Sequence, residues 1–115
     1  MLIGTRGDFS LIVTDTPKGQ RLCSCGAGAW GQLGHGTLDW SPQLRMVRHL
    51  DKPNVMVSSV CVGGRHSLVL TSQGEVYAFG SNQRGQLGLG DARGRKIPIL
   101  MTPLSMCQAP VVPLT

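Results

Sequence analysis

The sequence predicts an all-β fold built from two copies of one repeat. Its 115 residues include 16 glycines and 7 prolines but only 15% charged and 4% aromatic residues, which favours short strands joined by turns. The glycine-rich residues 26–36 recur as residues 80–90, at an offset of 54 and with identity at six of eleven positions. A repeat of this period is typical of solenoids and propellers, in which each unit buries its apolar face against a neighbour.

The first copy begins with a predicted β-hairpin. Residues 8–14 are apolar and β-branched, and Asp15, Pro17 and Gly19 follow them as turn residues, so a strand is expected there. Residues 22–25 form the second strand of the hairpin and lead into the first glycine-rich stretch.

The second copy repeats this hairpin more clearly. Residues 67–71 and 75–79 are predicted strands on either side of a turn at residues 72–74. The first strands of the two hairpins are 57 residues apart, whereas the offset afterwards is 54. The first copy therefore has three extra residues, and we expect them in its hairpin loop.

Two further segments complete a unit of about four strands, the content of one propeller blade. Residues 55–62 are a predicted strand that leads into the second copy. Residues 41–50 begin with Ser-Pro, a helix-start signal, but the equivalent residues 98–103 contain a second proline that would break a helix. Both of these segments are therefore predicted to be extended.

The residues that the two glycine-rich stretches share have structural explanations. Glycine permits positive φ and close backbone approach, a leucine can fill the gap between strands, and a glutamine amide can bond to turn backbone groups. His66 is matched by Phe9 in the other copy, which favours a packing role. The predicted structural residues are Gly31, Gln32, Leu33, Gly34, Gly36, His66, Gly80, Gly85, Gln86, Leu87, Gly88 and Gly90.

The sequence contains no predicted catalytic, cofactor or metal site. Residues 26–31 match the dinucleotide fingerprint Gly-x-Gly-x-x-Gly, but Pro42 and further glycines follow where that motif requires a helix. The four cysteines lack the paired Cys-x-x-Cys spacing of a structural zinc site. His66 and Ser67 are adjacent on a strand and point to opposite faces, so they cannot share a proton. We expect no enzymatic activity.

The net charge of +5 permits an acidic partner, although the basic residues are scattered. Loops of a propeller could converge on one rim and contact phosphate or an acidic protein. The alternative for the basic residues is a solvated loop, and the alternative for Trp40 is burial against the next blade. Absence of a signal-peptide pattern and of a long apolar run favours an intracellular location, cytoplasmic or nuclear. The candidate partner-binding residues are Trp40, Arg84, Arg93, Arg95 and Lys96.

Three segments together resemble the repeat of the regulator of chromosome condensation family. They are residues 60–70, with the sequence VCVGGRHSLVL, residues 74–82, with GEVYAFGSN, and residues 85–90, with GQLGLG. Residues 7–36 form a diverged copy, in which Phe9 replaces the histidine. The resemblance implies a β-propeller of about seven blades.

The predicted fold class is therefore a partial β-propeller of about two four-stranded antiparallel blades. We expect one incomplete propeller over residues 1–115, with the first copy at about 7–56, the second at about 57–105 and a tail at 106–115. About two repeats cannot close a ring, so the chain is expected to be a piece of a longer propeller or to associate with itself.

The expected function is a non-enzymatic scaffold for protein–protein interaction. The family resemblance implies two alternatives. The first is guanine-nucleotide exchange on a Ran-like small GTPase, together with chromatin association. The second is substrate recognition within a ubiquitin ligase. The expected partner is a protein, with a small GTPase or a chromatin component as candidates.

Overall fold

The chain forms two antiparallel sheets of four strands each. The structure, a computed structural model, describes residues 2–6, 8–17, 19–52, 55–83, 87 and 93–101. Within each sheet the strands lie in chain order. The first sheet contains β1 (Leu2–Arg6), β2 (Phe9–Thr16), β3 (Gly19–Gly26) and β4 (Ser41–Met46), and the second contains β5 (Val57–Val62), β6 (His66–Thr71), β7 (Val76–Gly80) and β8 (Arg95–Leu100). The all-β prediction with two four-stranded units is confirmed.

The hydrophobic core lies between the two sheets. Along β2, the buried Phe9, Leu11 and Val13 alternate with half-buried residues, because successive side chains of a strand point to opposite faces. Leu11 and Val13 belong to the same buried cluster as Val69 and Phe79 of the second sheet. The other members of the cluster are Leu22, Val47, Leu50, Val55 and Val57.

The first strands of the two sheets, β1 and β5, contact each other directly. A Cβ atom placed on Gly4 would lie 3.1 Å from Val60 and 3.2 Å from Val62, so the glycine allows the second sheet to approach. β1 was not among the predicted strands. Gly4 and Arg6 interrupt its apolar pattern, and its pairing with β2, from Leu2 to Val13 at one end, completes the sheet.

Two details of the predicted connections are wrong. The three extra residues of the first copy do not enlarge the hairpin loop, because β2 and β3 remain paired as far as Thr16 and Gly19. The insertion lengthens the two strands instead. Residues 41–50 are not extended throughout: β4 ends at Met46, and Arg48–Leu50 form a 3-10 turn that buries Leu50 in the core. In the described part of the chain, no helix has the length and hydrophobicity needed to cross a bilayer.

Candidate functional site

The loops at one end of the two sheets meet each other. The β3–β4 connection of the first sheet, residues 27–40, contacts both the β5–β6 turn and the start of β8 in the second sheet. Six side chains lie at this end, and four of them are predicted partner-binding residues that the structure describes. We call these six side chains the loop rim. The loop rim consists of Trp30, Trp40, Arg65, Arg93, Arg95 and Lys96.

Glycines bring the first glycine-rich stretch against the backbone of the second sheet. Gly31 has a φ of +82°, and a Cβ atom there would lie 2.6 Å from the carbonyl oxygen of Arg95. Gly34 has a φ of +74°, and a Cβ atom would lie 3.0 Å from the ring of Phe79. The backbone N–H of Gly36 donates to the carbonyl of Lys96 at 2.9 Å. A side chain at either 31 or 34 would push the two sheets apart.

Gln32 and Leu33 hold the same stretch in place. The side-chain oxygen of Gln32 accepts a hydrogen bond from the backbone N–H of Trp30 at 2.8 Å, and its carbonyl accepts one from Ser67 Oγ at 2.9 Å. Leu33 is buried, and its carbonyl accepts a hydrogen bond from Ser24 Oγ at 2.7 Å. The stretch is therefore bonded to both sheets.

The second glycine-rich stretch is described only in part. Gly80 has a φ of +110°, and a Cβ atom there would lie 2.5 Å from the carbonyl oxygen of Arg65. Leu87 is fully buried, and its N–H donates to Asn82 Oδ1 at 3.0 Å. His66 is half-buried, and a Cβ atom on Gly63 would overlap its imidazole ring. The predicted structural residues Gly85, Gln86, Gly88 and Gly90 lie outside the described residues.

An arginine in the β5–β6 turn of the second sheet stacks on a tryptophan in the β3–β4 connection of the first. The guanidinium carbon of Arg65 lies 4.6 Å from the centre of the Trp30 ring. Trp30 is half-buried and Arg65 is exposed, so the contact is a cation–π pair at the surface. Neither residue was predicted to bind a partner. A signal was available, because position 30 corresponds to Arg84 and is one of the places where the two glycine-rich stretches differ.

The predicted partner-binding residues lie on the same side of the molecule but do not form one contact. Trp40 is 68% exposed, and Leu38 in the same loop is 49% exposed. Arg93 and Lys96 are exposed, whereas Arg95 is half-buried and donates to the carbonyl of Arg93. The fifth candidate, Arg84, lies outside the described residues.

His35 lies in the β3–β4 connection, and its surroundings favour the neutral form of its imidazole. Ser24 uses its one hydroxyl proton in the bond to Leu33, so its oxygen accepts a hydrogen bond from His35 Nε2 at 3.0 Å. Burial lowers the pKa of His35, and the positive charge of Arg45 lowers it further. Burial also raises the pKa of the Cys23 thiol. No group of three or more His, Cys, Asp or Glu side chains in the described ranges could hold a metal ion.

A glutamine in the β2–β3 hairpin of the first copy bonds to the backbone of the second sheet. Gln20 Oε1 accepts a hydrogen bond from the N–H of Val57 at 2.8 Å, and Gln20 Nε2 donates to the carbonyl of Val57 at 3.2 Å. The amide thus pairs with β5 as a neighbouring strand would. The three extra residues of the first copy extend the strand that carries this clamp.

The sequence matches the Regulator of chromosome condensation (RCC1) repeat over residues 20–70 and 73–112, and also over 57–86. A bifunctional serine/threonine-protein kinase/NEDD4-like E3 ubiquitin-protein ligase of Dictyostelium discoideum is 40% identical over 92 residues, 79% of this chain and 5% of that protein. The human X-linked retinitis pigmentosa GTPase regulator is 41% identical over 88 residues, 76% of this chain and 8% of the regulator.

The same architecture occurs in the crystal structure of human WBSCR16. The two structures superpose with a TM-score of 0.74 and 27% identity, over 89% of this chain and 25% of the other. The chain thus spans about a quarter of that solved structure, and under a tenth of the two relatives. Its two sheets are blades of a partial β-propeller, as predicted. Since the repeat matches cover most of its length, the chain belongs to the Regulator of chromosome condensation (RCC1) repeat family.

Proposed function

We propose that this chain is part of a protein-interaction scaffold and that its loop rim binds an acidic segment of a protein partner. The observation that carries the proposal is the Arg65–Trp30 pair, which lies at the surface where the two blades join. Basic residues outnumber acidic ones among the described residues at this end of the sheets. The basic residues are Arg65, Arg93, Arg95 and Lys96, and the acidic ones are Asp8 and Asp39.

The stacked arginine is suited to bind a carboxylate. Its guanidinium lies over the face of Trp30, and stacking leaves N–H donors at the edge of the guanidinium plane free to meet a bidentate acceptor. Stacking also limits the motion of the side chain before a partner arrives, which reduces the entropy lost on binding. Arg and Trp are the residue types that most often dominate binding energy at protein interfaces.

Exposed apolar side chains on the same connection supply a second kind of contact. Leu38 and Trp40 lie between Trp30 and the start of β4, and both are largely exposed. A segment that carries both carboxylates and apolar side chains would satisfy the arginine and the two apolar residues together. A partner with basic residues alone would be repelled by this end of the molecule.

The test uses a labelled twelve-residue peptide of alternating glutamate and leucine, with fluorescence anisotropy as the readout. We expect Arg65→Glu to weaken binding at least tenfold, because it removes the donor and adds repulsion. Arg48→Glu is the matched control, since Arg48 is exposed at the opposite end of the blades and the change in net charge is the same. If both variants weaken binding equally, overall charge rather than the loop rim binds the peptide, and the proposal is wrong.

Guanine-nucleotide exchange on a small GTPase is the second candidate function. It is supported by the name of a relative, the human GTPase regulator, and by family membership. Adding the chain to a small GTPase loaded with labelled guanine nucleotide tests it, and release at the intrinsic rate would refute it. Recognition within a ubiquitin ligase has comparable support from the name of the Dictyostelium relative. A cytoplasmic or nuclear location also stays a prediction.

A further inference from the structure

Three exposed apolar residues occupy alternate positions where the β3–β4 connection runs into β4. They are Leu38, Trp40 and Pro42, and we call them the apolar row. No bend, turn or helix occurs in residues 38–46, so the chain is extended from Leu38 into β4. Alternate side chains of an extended segment project to the same side, so the apolar row forms one strip of surface.

The second copy of the repeat has no such row in its sequence. The strand pairings give the equivalence, since Ser41 and Arg95 pair with corresponding glycines of the two blades, at an offset of 54. The counterparts of the apolar row are Ala92, Gly94 and Lys96. A surface that the repeat itself required would be apolar in both copies. The apolar row therefore serves something other than the architecture of a blade.

The apolar row is also not a surface on which blades stack. The connection of the first blade reaches β8, where the N–H of Gly36 donates to the carbonyl of Lys96 at 2.9 Å. Gly94 and Lys96 nevertheless stay exposed beside this neighbouring blade. The equivalent positions of the first blade therefore stay exposed whether or not another blade precedes it. Leu44, although 45% exposed, is left out of the row because its counterpart Pro98 is buried.

Positive charges lie beyond both ends of the apolar row. At the Leu38 end, the hydrogen bond to Gly36 holds the exposed Lys96 beside the connection. At the other end, Arg45 of β4 is exposed. Asp39 alternates with the row along the chain, so its carboxylate projects to the opposite side. From residue 36 to residue 45, at about 3.3 Å per residue, the surface is about 30 Å long, which suits an extended segment of about ten residues.

We propose that the apolar row binds an extended segment of the protein partner, with apolar side chains at alternate positions and an acidic residue at each end. The inference rests on the proposed function and specifies the conformation and spacing of the acidic segment. Alternate side chains of an extended segment are about 6.6 Å apart, which matches the spacing of the row. A helix presents side chains three or four positions apart, so it requires a different sequence pattern. The terminal carboxylates complement Lys96 and Arg45.

Two labelled peptides of identical composition test the proposal by fluorescence anisotropy with the full chain. The alternating peptide is Asp-Ser-Leu-Ser-Phe-Ser-Leu-Ser-Ser-Asp. The control peptide, Asp-Leu-Ser-Ser-Ser-Phe-Ser-Ser-Leu-Asp, places the same apolar residues at helical spacing. We expect the alternating peptide to bind more tightly, by about tenfold, because only it brings all three apolar side chains onto the row together.

Trp40→Ser is expected to weaken binding of the alternating peptide about tenfold, because it removes the aromatic anchor at the centre of the row. Met56→Ser is the matched control and should leave binding unchanged. Met56 is also apolar and 47% exposed, but its carbonyl bonds to Ser72 at the opposite end of the blades. Both altered side chains are exposed, so both variants are expected to fold, and circular dichroism checks this.

Equal binding of the two peptides, or binding of neither, would overturn the inference, and so would equal effects of the two variants. Its failure can be told apart from failure of the proposed function. If Arg65→Glu weakens binding of the glutamate–leucine peptide but neither Trp40→Ser nor spacing has an effect, the loop rim binds an acidic segment and the inference is wrong. If Arg65→Glu has no effect while the alternating peptide is preferred and requires Trp40, the apolar row binds its segment and the role proposed for the arginine is wrong.

Discussion

Replacing Gly31 by alanine is expected to weaken the contact between the two blades. Gly31 has a φ of +82°, where an L side chain costs about 1–2 kcal/mol. The new Cβ atom would also lie 2.6 Å from the carbonyl oxygen of Arg95 and 2.9 Å from Cα of Lys96. Both are backbone atoms of the second blade, so no side-chain rotation can relieve the overlap.

The magnitude follows from these two contributions. Overpacking of this kind typically costs a further 1–3 kcal/mol, so we expect a total loss of about 2–5 kcal/mol. Gly74 separates the contributions, because it has nearly the same φ, +85°, but a Cβ atom placed on it would meet nothing within 4 Å. Gly74→Ala should therefore lose only the backbone cost of about 1–2 kcal/mol.

Urea denaturation of both variants, at a concentration where the chain is monomeric, measures the difference directly. Gly31→Ala should unfold at a lower urea concentration than Gly74→Ala, by an amount equivalent to about 1–3 kcal/mol. Equal losses in the two variants would refute the reasoning, because the contact with the second blade would then contribute nothing.

Three further predictions concern the same junction. Leu11→Ala should cost about 2–5 kcal/mol in urea denaturation, whereas Leu70→Ala, on the outer side of the second sheet and 39% exposed, should cost clearly less. Gln20→Leu should cost about 1–3 kcal/mol in the same assay, because it leaves the backbone N–H and carbonyl of the buried Val57 without their partner. Burial lowers the pKa of His35 below its ordinary value of about 6.5, so the unfolded chain binds this proton first and stability should fall as the pH is lowered through that value. His35→Leu should flatten this decrease in thermal-melting measurements, and an unchanged decrease would assign it to other groups.

The periodic parts of the fold could be predicted from the sequence. The strand pattern of β2 and of the second hairpin depends on local alternation and turn residues, so both were recognised. β1 was missed because Gly4 and Arg6 interrupt its apolar pattern, and the approach of Val60 to Gly4 is a contact between distant parts of the chain. The 3-10 turn at Arg48–Leu50 was missed because residues 41–50 were predicted to have the same extended conformation as residues 98–103 over their whole length.

The candidate site was less predictable, because its contacts cross from one blade to the other. The exposure of Trp40 and Arg93 could be anticipated from their place in loops. The stacking of Arg65 on Trp30 joins residues 35 positions apart, and no local pattern indicates it. Gln20 was overlooked for the same reason, since its partner is the backbone of Val57 in the next blade.

Two of the differences between the copies lie where the blades touch. The shared glycine-rich residues make contacts that any pair of adjacent blades needs, such as Gly31 against the backbone of Arg95. Trp30 and Gln20 are peculiar to the first copy, and each contacts the second blade. A repeat that only stacked could use identical copies. We therefore infer that divergence at these positions fixes which blade follows which, and that it also gives the junction the arginine–tryptophan pair proposed to bind a partner.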